Sequence, residues 1–211
     1  MQRYLLLSFQ LFSTLIVFAQ EKEKESIFKP AVIIGFNATQ VDGDDLAGYR
    51  KIGANIGGAA FVRLPKNFSF NFEILYSQKG SRSSASQAIG SQSYRLILDY
   101  VDVPLVFNYH DRDKQKRDIA IFGLGVVFNS LVRQKQLIGG GDCHGIECNS
   151  YKRAGLEMLA NVTFVFAKHF GVNLRFTYSL LNITSAPALG SNLKNGGQRN
   201  NIFALRGMYF F

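Results

Sequence analysis

The chain has 211 residues, 47% of them hydrophobic and 13% aromatic, with 19 Phe, 9 Tyr, 20 Gly and no Trp. That length holds one domain, and charged residues at only 18% exclude a disordered chain. The formal net charge is +9, but Lys and Arg are spread along the chain with no basic helix, which argues for solvated turns and loops and against nucleic-acid binding.

The first twenty residues, MQRYLLLSFQLFSTLIVFAQ, have a basic start at Arg3, an apolar core from Leu5 to Phe18, and a small-residue end. This is the layout of a secretory signal peptide over residues 1–19, cut near Ala19–Gln20. The competing reading is a membrane anchor, but the apolar segment is shorter than the roughly 20 residues a spanning helix needs. No Cys stands at the cleavage site for a lipid anchor. The charged run EKEKES lies in a spacer covering residues 20–29.

From residue 30 to residue 211 the pattern has period two, the signature of strands. In NFSFNFEILYSQKG, Phe68, Phe70, Phe72, Ile74 and Tyr76 share one face, opposite Ser69, Asn71, Glu73, Leu75 and Ser77. In FGVNLRFTYSLLNI, Phe170, Val172, Leu174, Phe176 and Tyr178 lie opposite Asn173, Arg175, Thr177 and Ser179. Eight such segments are expected, at residues 30–40, 51–64, 68–80, 94–109, 118–131, 152–167, 169–183 and 201–211. They exceed the five or six residues typical of soluble strands and reach the roughly 9–11 that cross a bilayer.

The gaps alternate between long and short. Residues 41–50, 81–93, 132–151 and 184–200 are long and rich in Gly, Ser, Asn and Asp, whereas 65–67, 110–117 and 168 are shorter. Long loops outside and short turns in the periplasm are the asymmetry of an outer-membrane barrel. The fold class expected is therefore all-β: an eight-stranded antiparallel transmembrane up-and-down β-barrel. An even strand count puts both termini in the periplasm. A soluble lipocalin-like barrel has the same strand number but would carry many more Lys and Glu along its strands. The ending GMYFF, with Phe211 last, resembles the signal read by barrel-assembly machinery.

A charge on the lipid face is costly, so the polar face must be the lumen. This assigns Glu73, Asp102, Glu157, Arg175 and Arg206 inward, with Asn55, Asn108, Asn161, Thr163, Thr177 and Gly53, Gly57, Gly123 and Gly125. Eight strands leave an interior that side chains just fill, so these charges are expected to pair in one hydrogen-bonded network. The other reading of the same residues is a narrow polar conduit. In LDYVDVPLVFNY, Asp102 and Pro104 fall on the lumen face, and the missing N–H of Pro104 implies either a bulge or a broken ladder.

Cys143 and Cys148 lie in GGGDCHGIECNS. In an exported protein a disulfide is the default. A metal site using Asp142, Cys143, His144 and Cys148, and a pair of free thiols, are the alternatives. Of the three His residues, His110 and His169 fall near short turns and His144 on a long loop. None has an evident catalytic partner in the sequence, so no enzyme, no cofactor and no resident metal are expected.

Three stretches resemble the PorT-like outer-membrane β-barrel family. Leu98, Tyr100, Asp102 and Pro104 fit its Leu-x-Tyr-(hydrophobic)-acid-(hydrophobic)-Pro strand. IIGFNATQVDGDDLAGYRKIGANIGG is similar to its first hairpin, and FEILYSQKGSR to the end of its third strand. The resemblance implies a porin-like, OmpA-like eight-stranded barrel in a Gram-negative outer membrane, and it carries no specific activity. The reading for function is a structural or interaction barrel with a polar-plugged lumen. The alternatives are a small porin for water or small solutes, and an accessory of an outer-membrane secretion or assembly system. The partners expected are outer-membrane lipids, the barrel-assembly machinery for insertion, and another envelope protein.

Overall fold

The computed structural model describes residues 28–44, 46, 48–84, 93–115, 117–143, 148–186 and 197–211. The expected signal peptide and most of the spacer lie outside the described residues. Eight long strands form the wall: β1 (Phe28–Asp42), β2 (Lys51–Leu64), β3 (Phe68–Lys79), β4 (Tyr94–Arg112), β5 (Asp118–Ile138), β6 (Ala154–Ala167), β7 (Phe170–Ser179) and β8 (Arg199–Phe210). Each pairs antiparallel with its sequence neighbours, and β8 pairs with β1 from Ala31↔Phe210 to Asp42↔Arg199. The sheet is thus a closed barrel without a free edge, as the period-two pattern predicts.

Side chains alternate across this wall. Ile34, Phe36, Phe72, Ile74, Phe122, Leu124, Phe128, Leu174 and Phe203 point outward and are exposed. So continuous an apolar exterior has no place in water and matches the hydrocarbon of a bilayer. Inward residues are buried, and they fall into layers. At the short-turn end Ala31, Ile33, Phe61, Met208 and Phe210 pack together. At the long-loop end Val41, Leu96, Leu98, Tyr100, Tyr151 and Ile183 do the same. Most of the buried polar groups lie between these two apolar layers.

Small inward residues make the narrow bore possible. A Cβ on Gly57 would run into the backbone of Ile74 and Leu75, and one on Gly125 into that of Leu105 and Val106. Both glycines therefore serve close approach of neighbouring strands.

The structure departs from the sequence expectation at several strand ends: β7 stops at Ser179 instead of residue 183, and β4 runs on to Arg112 past residue 109. β5 continues seven residues past residue 131, and its extension pairs with the start of β4. Val132 is the extra residue of a bulge between Asp99↔Arg133 and Tyr100↔Leu131. Beyond that bulge the sequence reads Arg133, Gln134, Lys135 and Gln136, which carries no apolar alternation and so reads as loop. The extension is held by its polar groups: Arg133 donates to Asp99 (2.8 Å), as does Gln78 (2.9 Å). Thr184–Ala186 pairs with Ser150–Tyr151, so segments expected as loop form a small second sheet.

Pro104 faces the lumen without a bulge. The β3–β4 register is the same on both sides of it, from Phe72↔Leu105 to Leu75↔Asp102, and only the pairing of the residues between lapses. Of the two expected outcomes, the structure adopts the broken ladder with register kept. On its other side Pro104 stays paired with Val127.

Leu124 is 69% exposed near the middle of β5. Leu124→Arg is expected to destabilise the barrel by about 2–4 kcal/mol, measured as a shift in reversible denaturant unfolding in lipid vesicles.

Candidate functional site

The polar layer of the lumen is built from six charged side chains on five strands. β3 supplies Glu73 and Lys79, β4 Asp102, β6 Glu157, β7 Arg175 and β8 Arg206. All six are buried. They form two clusters.

In the first, Glu73 accepts both ends of the Arg175 fork, at 2.9 Å from Nη1 and 2.7 Å from Nη2. It also accepts Arg206 Nη1 at 3.1 Å and Asn71 Nδ2 at 2.7 Å. Arg206 is held from behind, where Asn173 Oδ1 accepts its Nε (2.9 Å) and Nη2 (2.6 Å). Asn173 in turn donates to Thr163 (2.7 Å), and Asn108 donates to Asn71 (2.6 Å).

In the second cluster Lys79 Nζ lies 3.0 Å from Asp102 Oδ2 and 2.8 Å from Glu157 Oε2. Ser179 donates to Glu157 at 3.3 Å. The Lys79 ammonium also sits 4.8 Å from the centroid of the Tyr100 ring. One glutamate with two arginines leaves the first cluster with an excess positive charge. One lysine with two acids leaves the second with an excess negative charge. Arg175, Lys79, Asp102 and Glu157 border one cavity of about 10 Å³, lined also by Asn37, Ser77 and Pro104. That volume holds about one water. The two opposite excess charges thus face each other in a low-dielectric interior, and the layer as a whole is neutral.

The five charges assigned inward from the sequence all lie in this layer. The sixth, Lys79, was missed, although it stands in the QKG stretch. Its signal was present: Glu73, Leu75, Ser77 and Lys79 continue one face at period two. The motif residues Leu98, Tyr100, Asp102 and Pro104 form the inward face of β4, and so they join the long-loop apolar layer to the charges. Asn55, Asn108, Thr163 and Thr177 are buried inward as well.

Cys143 and Cys148 are joined by a disulfide. His144, the fourth group of the alternative metal set, lies outside the described residues, and among the described residues no group of three or more His, Cys, Asp or Glu could hold a metal ion. The bond closes a short loop beyond the β5 extension. Reduction and alkylation is expected to cost at most about 2 kcal/mol and to leave the folded barrel's gel mobility unchanged.

The short turns are organised locally. In the β4–β5 turn Asp113 accepts the backbone N–H of Arg117 (2.9 Å) and of Gln115 (2.8 Å), and the Arg117 side chain. The Arg117 N–H above all holds the Asp113 carboxyl below its ordinary range. His110, expected near this turn, is instead the last inward residue of β4 and is buried, with partners on two other strands.

A closed antiparallel sheet with an apolar outside and a charged, filled inside defines an integral membrane β-barrel. The chain belongs to the family of outer membrane protein β-barrel domains, whose model matches residues 18–185. The match stops before β8, which closes the wall. No curated protein matches the sequence. Among solved structures, Ail, the attachment invasion locus protein of Yersinia pestis, is 12% identical. The match covers 88% of this chain and all of that one, with a TM-score of 0.47. Neisserial surface protein A is 12% identical over 88% of this chain and 98% of its own, at 0.48. OprG from Pseudomonas aeruginosa is 11% identical over 87% and 96%, at 0.39.

Removing Lys79 leaves two buried carboxylates facing each other without their cation. Lys79→Met is expected to destabilise the barrel by about 3–5 kcal/mol, read from unfolding in lipid or detergent. Adding Asp102→Asn to it should recover part of that loss, because one of the stranded charges is gone.

Proposed function

We propose that this chain is a closed-lumen barrel of the bacterial outer membrane with a structural or interaction role in the envelope. The observation that carries the reading is the neutral six-charge layer set between two apolar layers. A side-chain-filled bore of this kind favours a wall over a pore. In this reading residues 1–19 are removed as a signal peptide, residues 20–29 are a spacer, and both termini lie in the periplasm. The long-loop end, with the β4–β5 extension and the Cys143–Cys148 loop, faces outward and is the surface offered to a partner. Insertion by the barrel-assembly machinery and a protein partner in the envelope belong to the same proposal. So does membership of the PorT-like subgroup, which rests on the Leu98, Tyr100, Asp102 and Pro104 strand. A role as accessory to a secretion or assembly system differs from this only in the partner.

Pure protein in liposomes is expected to leave them tight to ions and small solutes. Steady conductance that changes when Glu73 or Arg175 is neutralised would overturn the closed-lumen reading and make the chain a small porin. Native purification from extracted membranes, followed by mass spectrometry, identifies the partner the interaction role requires.

A further inference from the structure

The short-turn end of the barrel holds a second polar group, linked to the charge layer only through Asn108, whose Nδ2 lies 3.4 Å from Ser69 Oγ and 2.6 Å from Asn71 Oδ1. Ser69 Oγ of β3 lies 2.7 Å from His110 Nε2 of β4. His110 Nδ1 lies 3.1 Å from Asp118 Oδ2, at the start of β5, a close ion-pair approach outside hydrogen-bond geometry. Asp118 is itself held, because its Oδ1 accepts Arg112 Nε at 2.7 Å. Arg112 Nη1 donates to Asn67 Oδ1 at 3.0 Å, and the carbonyl of Asn67 accepts the His110 backbone N–H at 2.8 Å. The imidazole is thus fixed at its backbone and approached on both nitrogens.

Hydroxyl, imidazole and carboxylate in this order form the arrangement that activates a serine. A carboxylate at Nδ1 favours the tautomer with its proton there, which leaves the Nε2 lone pair facing the hydroxyl. The β-register produces the arrangement. Ser69 pairs with Asn108, so His110 lies one inward position further along β4, and the bulge at Arg112↔Asp118 brings the acid alongside.

The three residues also share a cleft of about 30 Å³ with Lys29, Phe61, Arg63, Ile121, Val165 and Phe210. Ser69 is fully buried, and this cleft lies against it. Lys29 and Arg63 border the same cleft beside its aromatic and aliphatic walls, and cationic groups of this kind can stabilise an oxyanion. The volume suits an acyl group of two or three heavy atoms.

We propose that Ser69, His110 and Asp118 form a catalytic site for hydrolysis of small-acyl esters, with acetyl esters as the substrate class. Ser69 Oγ attacks the ester carbonyl while its proton passes to His110 Nε2. The tetrahedral oxyanion collapses, the C–O bond to the alcohol breaks, and His110 returns the proton to the departing alkoxide. Water, deprotonated by His110, then attacks the acyl-serine. This releases the carboxylic acid and restores the Ser69 hydroxyl. Asp118 is the positioning residue that holds and stabilises the imidazolium. The site includes none of the six charges of the central layer, and the proposal stands whether or not the lumen conducts.

The test is labelling of the folded protein in detergent with methanesulfonyl fluoride, a probe of acetyl size, read by intact mass and peptide mapping. Heat-modifiable gel mobility confirms that each variant is folded. The expected result is a single methanesulfonyl adduct on Ser69, absent in Ser69→Ala and formed roughly 100-fold more slowly in His110→Gln. Hydrolysis of 4-nitrophenyl acetate should fall in step with labelling across these variants. No adduct on the folded wild type overturns the proposal. So does an adduct on another residue, or labelling of Ser69 at an unchanged rate in His110→Gln, which would mark the hydroxyl as a structural donor alone.

Discussion

The constraint on which the rest of this barrel depends is the neutrality of its buried charge layer. Eight strands close around a bore too narrow for bulk water, so the charges of the central layer must find counter-charges inside the protein. Glu73 meets this need with two arginines from β7 and β8, and Lys79 meets it with two acids from β4 and β6. Apart from Lys79–Asp102, which joins the neighbouring β3 and β4, these bonds cross the bore and join strands that are not neighbours in the sheet. They tie the wall together in a direction that the backbone ladder does not reach. The excess charge of each cluster is offset by the other across a cavity of about 10 Å³, so neither cluster is well satisfied alone.

The apolar layers at the two ends follow from the same constraint. Ion pairs are strong only where water is kept out, and the Leu96, Leu98 and Tyr100 face of β4 and the Phe61, Met208 and Phe210 group do that at opposite ends. The proline-bearing strand fits here as well. Asp102 is one half of a carboxylate pair around Lys79, and Pro104 stands opposite Glu73 in the β3–β4 register. Lacking an N–H, Pro104 adds no donor to the ladder. The pairing lapses there while the register, and with it the inward direction of both acids, is kept. The greasy strand with an acid and a proline at its centre is thus a lumen wall at the level of the charges.

Much of this was legible in the sequence, and the physical reason is the strict period of a strand. Alternation over Phe68–Ser77 and Phe170–Ser179 separates the two faces without any tertiary knowledge, and the cost of a charge in lipid then orients each face. This located Glu73, Asp102, Glu157, Arg175 and Arg206. The same rule extends to Lys79, but that residue stands next to Gly80 at the strand end, where a lysine reads equally well as rim or turn. The β5 extension was not legible, because Arg133, Gln134, Lys135 and Gln136 are held by hydrogen bonds to β4 and to the loop and have no apolar face to show.

What the sequence determined by itself is the barrel: strand number, the inward and outward face of each strand, and which face meets lipid. These follow from local alternation and from the price of polarity in hydrocarbon. What only the tertiary structure decided is which side chains meet. Glu73 and Arg206 are 133 residues apart, and Lys79 and Glu157 are 78 apart. Ser69, His110 and Asp118 come from three strands whose inward positions coincide only through the inter-strand register and the bulge beside Arg112. Alternation has no long-range memory: it gives the face a residue lies on, while the stagger of the closed sheet sets its height in the bore and so its partner.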